Sequence, residues 1–402
     1  MWMAVASSAI VILGIAPSQV LLGLSLAALL LSGDPLRLPP IKLPLALFLL
    51  GTVIALLFSG DPAAGLPQIR KFYVFAQLLV VFSLVRRLAV VRGLVMAWMA
   101  LASVSAILSF VQFARKVQQA HAAGRDFYSY YVGERITGFM SHWYTFSVLA
   151  MFALLMAAAY LFFARPWRYA WLCVLPCAAI ITLGIILAET RAIWIATAVA
   201  GCYLLWFWRR WVLAVVPLVA IVGFFIVPSA VRTRLTSIVH PGKLDSNEFR
   251  VVCARTGLRM IEAHPLLGLG PEEPRIQFDR YVPSDIPRPL PDGSYIHLHN
   301  IYLEYAAERG VPVLLIFFWL IGKILYDFWR GLGRLPPGPD DRRALLHGGI
   351  AVVIAMLIEG FADVPLGDSE VLAMFLAIVG CAYVALLAEP AAELKQPVKL
   401  AA

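Results

Sequence analysis

"YAWLCVLPCAAIITLGIILAETRAIWIATAVAGCYLLWFWRR", residues 169–210, contains two long apolar runs separated only by Glu189, Thr190 and Arg191. Each run is long enough to cross a bilayer as a helix, which takes about 17–25 apolar residues. The polar residues between the runs are then too few to form anything but a tight turn. We therefore predict a transmembrane helical hairpin with Arg191 in its turn, at the membrane boundary.

The composition extends this pattern to the whole chain. Of its 402 residues, 61% are hydrophobic and 14% are charged, whereas soluble domains average about 45–50% apolar and about 25% charged residues. We therefore predict an all-α, polytopic integral membrane protein. By length and apolarity we count about twelve candidate spans: residues 2–16, 18–32, 42–59, 69–85, 91–114, 143–163, 169–188, 192–208, 211–228, 311–329, 345–361 and 370–388.

The positions of the basic residues predict the orientation of these helices. With twelve spans, the loops rich in arginine and lysine all fall on one side, which the positive-inside rule assigns to the cytoplasm. We therefore interpret the net charge of +9 as a consequence of membrane topology, and not as a sign of nucleic-acid binding. The N-terminal segment lacks a basic n-region, so it is interpreted as the first membrane helix and not as a cleaved signal peptide. The basic clusters are Arg37 and Lys42; Arg86, Arg87 and Arg92; Arg165 and Arg168; Arg209 and Arg210; Arg330, Arg334, Arg342 and Arg343; and Lys395 and Lys399 in the tail.

The remaining polar residues concentrate on the opposite, extracytoplasmic side. Residues 1–228 are predicted to hold nine spans and a small extracytoplasmic loop at about 115–141. Residues 229–310 form a much larger loop that contains helices, in which several prolines predict irregular segments. Residues 311–402 hold three spans and a cytoplasmic tail. We expect the functional site on the side of the large loop.

Arg191 is the first candidate for binding an anion on this side. Its guanidinium stays charged at any relevant pH and can bind a phosphate through two hydrogen bonds. Alternatively, Arg191 reaches lipid headgroups from the interface or pairs with Glu189.

A second group of arginines lies in the helix-compatible stretch from Asn247 to Ala263. Arg255 and Arg259 share one face of such a helix, whereas Arg250 lies about 140° from Arg255 around the axis. These arginines are candidates for binding phosphate, although a solvated basic helix on anionic lipid is the alternative. The spacing leaves open which of the three would contact a ligand.

The third candidate is "HLHNIYLEYAAERG", residues 297–310. The helical composition after Asn300 places His299 near a helix N-terminus, where free amide groups and the helix dipole favour anions. The same field disfavours imidazolium, so we expect a neutral His299 that can accept a proton from a hydroxyl as a general base. The alternative role of His299 is to cap the helix. Asn300, Glu304 and Glu308 share one helical stripe, from which Tyr302 is displaced.

Weaker signals leave other chemistry open. His297 is a second potential metal ligand beside His299, but few carboxylates or histidines lie close in sequence, and we predict no metal. Cys173 and Cys177 share a helix face, where packing is favoured over a zinc site. Lesser basic candidates are Arg70, Lys71, Arg125 and Arg135. Aromatic residues near the membrane edge either form an interfacial belt or stack on sugar rings. They are Tyr128, Tyr130, Tyr131, Trp143 and Tyr144.

"HLHNIYLEYAAERG" resembles the His-Asn, Leu-Glu and late Gly pattern of the O-antigen ligase family. This family lies within a superfamily that includes O-antigen polymerases and some protein O-oligosaccharyltransferases. The stretch "FRVVCARTGLRMIEAHPLLGLG", residues 249–270, resembles the family's arginine-led helix that ends in Pro-Leu-Leu-Gly-x-Gly. Arg191 matches the family's arginine in a short turn ahead of an apolar helix. The resemblance covers nearly the whole chain, including the large late loop.

The resemblance implies a C-type glycosyltransferase-like fold in the bacterial inner membrane, with an active site that faces the periplasm. It implies metal-independent, inverting transfer of O-antigen polysaccharide from undecaprenyl pyrophosphate to lipid A–core in lipopolysaccharide biosynthesis, without a cofactor. Arginines would then stabilise the charge that develops on the pyrophosphate, and His299 would be the catalytic base. The predicted site comprises His299 as the base; Arg191, Arg250, Arg255 and Arg259 for pyrophosphate; and His297, Asn300, Tyr302 and Glu304 in support.

Two alternatives remain on sequence grounds. An O-antigen polymerase or protein O-oligosaccharyltransferase would use the same residues with another acceptor, although the small size of the loop at 115–141 favours a ligase. A transporter of anionic solutes would place charged residues within its spans. The predicted spans carry few of them, chiefly Lys323 and Glu359 near the span ends. Transport is therefore disfavoured.

Overall fold

The computed structural model describes residues 1–165, 169–227, 229–236, 247–291, 293–294 and 296–388. Within these residues the backbone forms helices and no β-strand, which confirms the all-α prediction. Short 3-10 helices occur at Lys71–Phe75, Arg210–Ala214 and Pro365–Gly367. The α-helices are α1 Trp2–Ile10, α2 Ile15–Leu31, α3 Lys42–Leu57, α4 Pro62–Arg70, α5 Ala76–Leu84, α6 Leu88–Ala122, α7 Phe127–Tyr131, α8 Trp143–Phe163, α9 Ala170–Leu187, α10 Arg191–Arg209, α11 Val216–Ile226, α12 Ser229–Thr236, α13 Asn247–Ala263, α14 Glu273–Ile276, α15 Phe278–Tyr281, α16 Ile301–Leu332, α17 Asp341–Glu359 and α18 Ser369–Leu387.

Six helical segments of the described chain are long and apolar enough to cross a membrane. They make the chain a multi-pass membrane protein, whereas the count of twelve spans stays a prediction. The helices α2, α3 and α11 are apolar but shorter. The six segments are Leu88–Ala122, Trp143–Phe163, Ala170–Leu187, Arg191–Ala214, Val311–Leu332 and Ser369–Leu387.

Several predicted span boundaries differ from the helices observed. The predicted span 69–85 is interrupted by the 3-10 segment Lys71–Phe75, just after Pro67, which lacks an amide hydrogen for the helical ladder. The predicted small loop at 115–141 begins as helix, because α6 continues to Ala122. The predicted tail beyond residue 388 and Arg168 lie outside the described residues.

The centre of the bundle is formed by α8, α17 and α18. Nearly every side chain of α8 and α18 is buried, and α17 packs against α8, α10, α16 and α18. The residues that begin α8 and α10, Trp143 and Arg191, line one cavity with Glu359, which ends α17. Helix packing therefore gathers three termini at one end of the bundle.

The predicted large loop contains α12 to α15 and the first turns of α16. Here α13 and α15 pack around a small apolar core of their own, which includes Cys253, Met260, Phe278, Leu298 and Ala307. This core attaches the loop to α16. The side of the membrane on which the loop lies stays a prediction.

The helix α16 is kinked at Gly310, where φ is +82° and ψ is 162°. A turn that precedes α14 packs into the kink, where the Leu269 and Val311 amides donate to the Ala307 and Pro265 carbonyls at 2.8 Å. A Cβ atom on Gly310 would lie 2.1 Å from the Leu266 carbonyl oxygen. Glycine is therefore required by both the dihedral angle and the close approach of backbone.

We expect Gly310→Ala to destabilise the protein, since a non-glycine residue in such a conformation costs about 1–3 kcal/mol before the clash is counted. The matched control is Gly322→Ala on the same helix, where a Cβ meets no atom within 4 Å. Thermal unfolding of both variants in detergent checks this prediction. Equal melting temperatures for the two variants would contradict it.

Candidate functional site

A cavity of about 290 Å³ lies at the end of the bundle where α8, α10, α13 and the turn after α17 meet. Its wall brings together Arg191, Arg250 and His299, which are separated by 59 and 49 positions in the sequence. The full lining is Arg135, His142, Trp143, Tyr144, Thr190, Arg191, Ala192, Arg234, Phe249, Arg250, Gly293, Ile296, His299, Glu359, Ala362 and Asp363.

The wall of this cavity carries four arginines. Arg191 is the first residue of α10 and is buried, so the first turn of α10 faces the cavity with amide groups that favour anions. Arg250 lies in the first turn of α13. Arg135 precedes α8, and Arg234 lies in α12. Four elements distant in sequence therefore contribute one cationic charge each.

The backbone of the turn before α10 is held by two of these arginines. Arg234 Nε donates to the Glu189 carbonyl oxygen at 3.2 Å, and an Arg135 terminal nitrogen donates to the same oxygen at 3.5 Å. Glu189 has φ +51°, and its carboxylate oxygens are buried with no hydrogen-bond partner in the described residues. This turn leads directly into Arg191, so Arg135 and Arg234 fix the start of α10.

Burial changes the electrostatics of this cluster. Desolvation and, to a lesser extent, the like charge of Arg234 lower the pKa of Arg135 to about 10. Desolvation also lowers the pKa of Arg250, while Asp363 opposes this effect. Burial raises the pKa of Glu189 to about 7, although Arg135 and Arg234 act in the opposite direction. Poorly solvated guanidinium groups interact more strongly with an incoming anion than hydrated ones.

His299 lines the same cavity, two residues before α16 begins. Its φ of +48° is unusual for a residue with a side chain. The ring is largely buried and packs against the Phe249 ring, with 4.7 Å between centroids. Neither ring nitrogen has a hydrogen-bond partner among the described residues. Nδ1 lies 3.6 Å from Asp363 Oδ1, a distance of strong electrostatic interaction.

Asp363 also binds His297, whose Nε2 lies 2.8 Å from Oδ1. Burial lowers the pKa of His297 to about 4 against the attraction of Asp363. Burial would raise the pKa of Asp363, but His299, His297 and the Val364 amide keep it below its ordinary value. His297, His299 and Asp363 offer ligand atoms within 4.8 Å of one another, so this group can hold a metal ion. His297 does not line the cavity.

The helix α13 presents its three predicted arginines in two directions. Arg250 lines the cavity, whereas Arg255 is 46% exposed and bound to both Asp285 carboxylate oxygens at 2.9 and 2.8 Å. Arg259 is exposed and donates to the Val282 carbonyl oxygen at 3.4 Å. The helical angle between Arg250 and the other two therefore separates them in space.

The family comparison covers most of this site. Residues 176–318 match the family model described as O-Antigen ligase, a stretch of 143 residues that includes Arg191, Arg250 and His299. This stretch is similar to the O-antigen ligase family. No curated protein matches the chain. The match supports an enzyme that handles glycans on lipid-linked substrates.

The predicted supporting residues hold His299 in place. Asn300 Oδ1 accepts hydrogen bonds from the Tyr302 and Leu303 amides at 3.0 Å and so caps α16. The Ile301 amide donates to the carbonyl oxygens of Gly360 and Asp363. This docking of α16 on the turn after α17 brings Asp363 to His299.

Tyr302 and Glu304 act on either side of this junction. The Tyr302 hydroxyl donates to the Leu357 carbonyl oxygen of α17, and its ring stacks on Phe318. Glu304 is buried, and its carboxylate accepts the Leu298 amide at 2.7 Å. Burial and the neighbouring Glu308 raise the pKa of Glu304. Neither residue lines the cavity.

We expect Glu304→Leu to lower stability by about 1–3 kcal/mol, because the buried Leu298 amide beside His299 loses its acceptor. The transfer rate should fall because kcat is lowered, whereas KM should change little, since Glu304 does not line the cavity. Glu304→Gln keeps an acceptor oxygen and should restore most of both properties. Melting curves and initial rates of the two variants check this, and equal losses in both would refute the positioning role.

Sequence reasoning missed Arg234, His142 and Asp363 as cavity residues and ranked Arg135 low. Asp363 lies in "DVPLGDSE", a polar segment on the same predicted side as the motif of His299. Its location on that predicted side was the only sequence signal that pointed to Asp363. Arg234 lies among several arginines of α12 that composition does not separate.

Proposed function

We propose that this protein transfers O-antigen polysaccharide from undecaprenyl pyrophosphate to lipid A–core at the periplasmic face of the bacterial inner membrane. The reaction is an inverting glycosyl transfer without a metal ion, within lipopolysaccharide biosynthesis. The observation that carries the proposal is one cavity whose lining holds four arginines together with the His299–Asp363 pair. A glycosyl pyrophosphate and a sugar hydroxyl require those two kinds of group.

The arginines bind the leaving group. When the bond between the anomeric carbon and the phosphate oxygen breaks, negative charge grows on that oxygen. Arg191 and Arg250, with Arg135 and Arg234 beside them, supply fixed positive charge there. Such preorganised charge is worth most in a site that excludes water. Arg255 and Arg259 lie outside the cavity and are left with a role in lipid or protein contacts.

His299 activates the acceptor. The attacking hydroxyl oxygen forms the new bond to the anomeric carbon while His299 Nε2 takes its proton. With Nδ1 towards Asp363, the imidazolium that forms is stabilised by the carboxylate 3.6 Å away. Attack opposite the departing pyrophosphate inverts the anomeric configuration in a single displacement. Undecaprenyl pyrophosphate leaves with the electron pair of the broken bond.

The position of the cavity suits lipid-linked substrates. It lies beside the first turns of α8 and α10, both of which are apolar enough to cross the membrane. A donor and an acceptor anchored in the outer leaflet would reach it laterally. A volume of about 290 Å³ is at the small end for ligand pockets, which suits the reacting groups and not the whole glycan.

A null strain of the source bacterium, complemented with wild-type or inactive protein, tests the proposal. We expect undecaprenyl-linked polymer and bare lipid A–core without activity, and a lipopolysaccharide ladder with it. Core that bears one repeat unit in the null strain would indicate a polymerase. An unchanged ladder with loss of protein glycosylation would indicate a protein O-oligosaccharyltransferase.

A further inference from the structure

Glu359 is a buried carboxyl group in the cavity that the proposed chemistry does not use. It ends α17, is 0% exposed and lines the cavity beside His299 and Asp363. Neither of its carboxylate oxygens makes a hydrogen bond to any described residue. Buried polar atoms in native proteins are almost always paired. Two unpaired oxygens on a cavity wall therefore indicate a ligand that donates hydrogen bonds.

Tyr144 presents a second polar group to the same space. Its hydroxyl is buried and makes a weak hydrogen-bonding contact with Glu359 that falls outside ordinary hydrogen-bond geometry, so both groups can still pair with a ligand. The side chain is only 7% exposed, so the ring face is covered. Tyr144 is therefore placed to hydrogen-bond a ligand through its hydroxyl, and not to stack its ring on a sugar.

The surrounding charges exclude other ligands. An anion would be repelled by the Asp363 carboxylate, which lines the cavity close to Glu359. A cation would meet Arg250, whose charge is felt by Glu359. Among the described residues, Glu359 does not belong to a group with metal-ligand spacing. A neutral hydroxyl that donates to a carboxylate oxygen and accepts from a tyrosine satisfies both groups.

We propose that Glu359 and Tyr144 form a sugar-hydroxyl subsite that orients one of the two reacting glycans beside His299. The inference rests on the proposed glycosyl transfer and extends it to the recognition of the sugar itself. A hydroxyl bound here discriminates strongly, because a sugar that lacks it leaves buried polar groups unpaired. The donor sugar and the acceptor sugar are the two possible sources of that hydroxyl.

Steady-state transfer by the purified full chain in nanodiscs tests the subsite, with undecaprenyl-pyrophosphate glycan and lipid A–core varied separately. Glu359→Leu and Tyr144→Phe are expected to raise KM for one glycan about tenfold, with a smaller effect on kcat. The substrate whose KM rises identifies the glycan. The matched controls are Glu273→Leu and Tyr160→Phe. Each changes a buried carboxyl or hydroxyl with an unpaired oxygen outside the cavity, and neither should alter KM.

Monodeoxy analogues of the affected glycan separate recognition from a structural effect. Wild-type protein should lose about tenfold in kcat/KM with one analogue, and Glu359→Leu, which lacks an acceptor oxygen, should be insensitive to that same deletion. Unchanged KM values in both variants, or equal sensitivity of wild type and variant to every analogue, would overturn the subsite. Absence of transfer by wild type would instead contradict the proposed function.

Discussion

His299→Asn should abolish polysaccharide transfer while the protein still folds and inserts. Loss of a general base slows a reaction by about 10²–10⁴-fold. Asparagine is the preferred replacement because it tolerates the φ of +48° at this position better than other residues with side chains. The transfer rate of the purified variant, with its melting temperature, gives both results.

His264→Ala is the control for this experiment. His264 lies in the same loop region and contacts the Tyr281 hydroxyl at 2.9 Å, outside the cavity. It should retain near wild-type transfer. If His299→Asn transfers at the wild-type rate, the base assignment is wrong, and if both variants lose activity, the effect belongs to the loop.

Arg250→Ala should reduce kcat/KM by about 10²–10³-fold, a loss typical of removing one group that stabilises developing charge. Arg255→Ala, on the same helix five residues later, should reduce it only slightly, because that guanidinium binds Asp285 at the surface. Arg250→Lys should recover part of the loss, since lysine keeps the charge but not the two-pronged geometry.

The comparison between the two arginines is internally controlled. Each substitution removes one positive charge from α13, so the two variants have the same net charge. If these arginines acted only through general attraction to anionic lipids, both variants would lose transfer activity to the same extent. Comparable losses in Arg250→Ala and Arg255→Ala would therefore refute the placement of pyrophosphate in the cavity.

The helices with the clearest apolar runs could be predicted from the sequence. Residues 143–163 and 370–388 were predicted as spans within one residue of α8 and α18, because their length and apolarity leave no other structure in a membrane. The break at Lys71–Phe75 was not predicted, since the run remains apolar through it. Apolarity alone therefore does not distinguish one helix from two.

The candidate site could be predicted only in part, for a similar reason. Arg191, Arg250 and His299 were chosen by residue type and motif, and the structure places all three on one cavity wall. Asp363 reaches His299 because the Ile301 amide docks on the turn after α17, a tertiary contact without a local sequence signal. The different environments of Arg250 and Arg255 follow from which face of α13 packs inward.

The most direct test of the central claim is transfer from purified components in the presence of EDTA. The reaction contains the full chain, undecaprenyl-pyrophosphate glycan and lipid A–core, and the product linkage is determined by NMR. We predict polysaccharide-bearing lipid A–core with inverted anomeric configuration at an undiminished rate. Loss of the product with EDTA and its recovery with a divalent ion would contradict the account and assign His297, His299 and Asp363 to a metal.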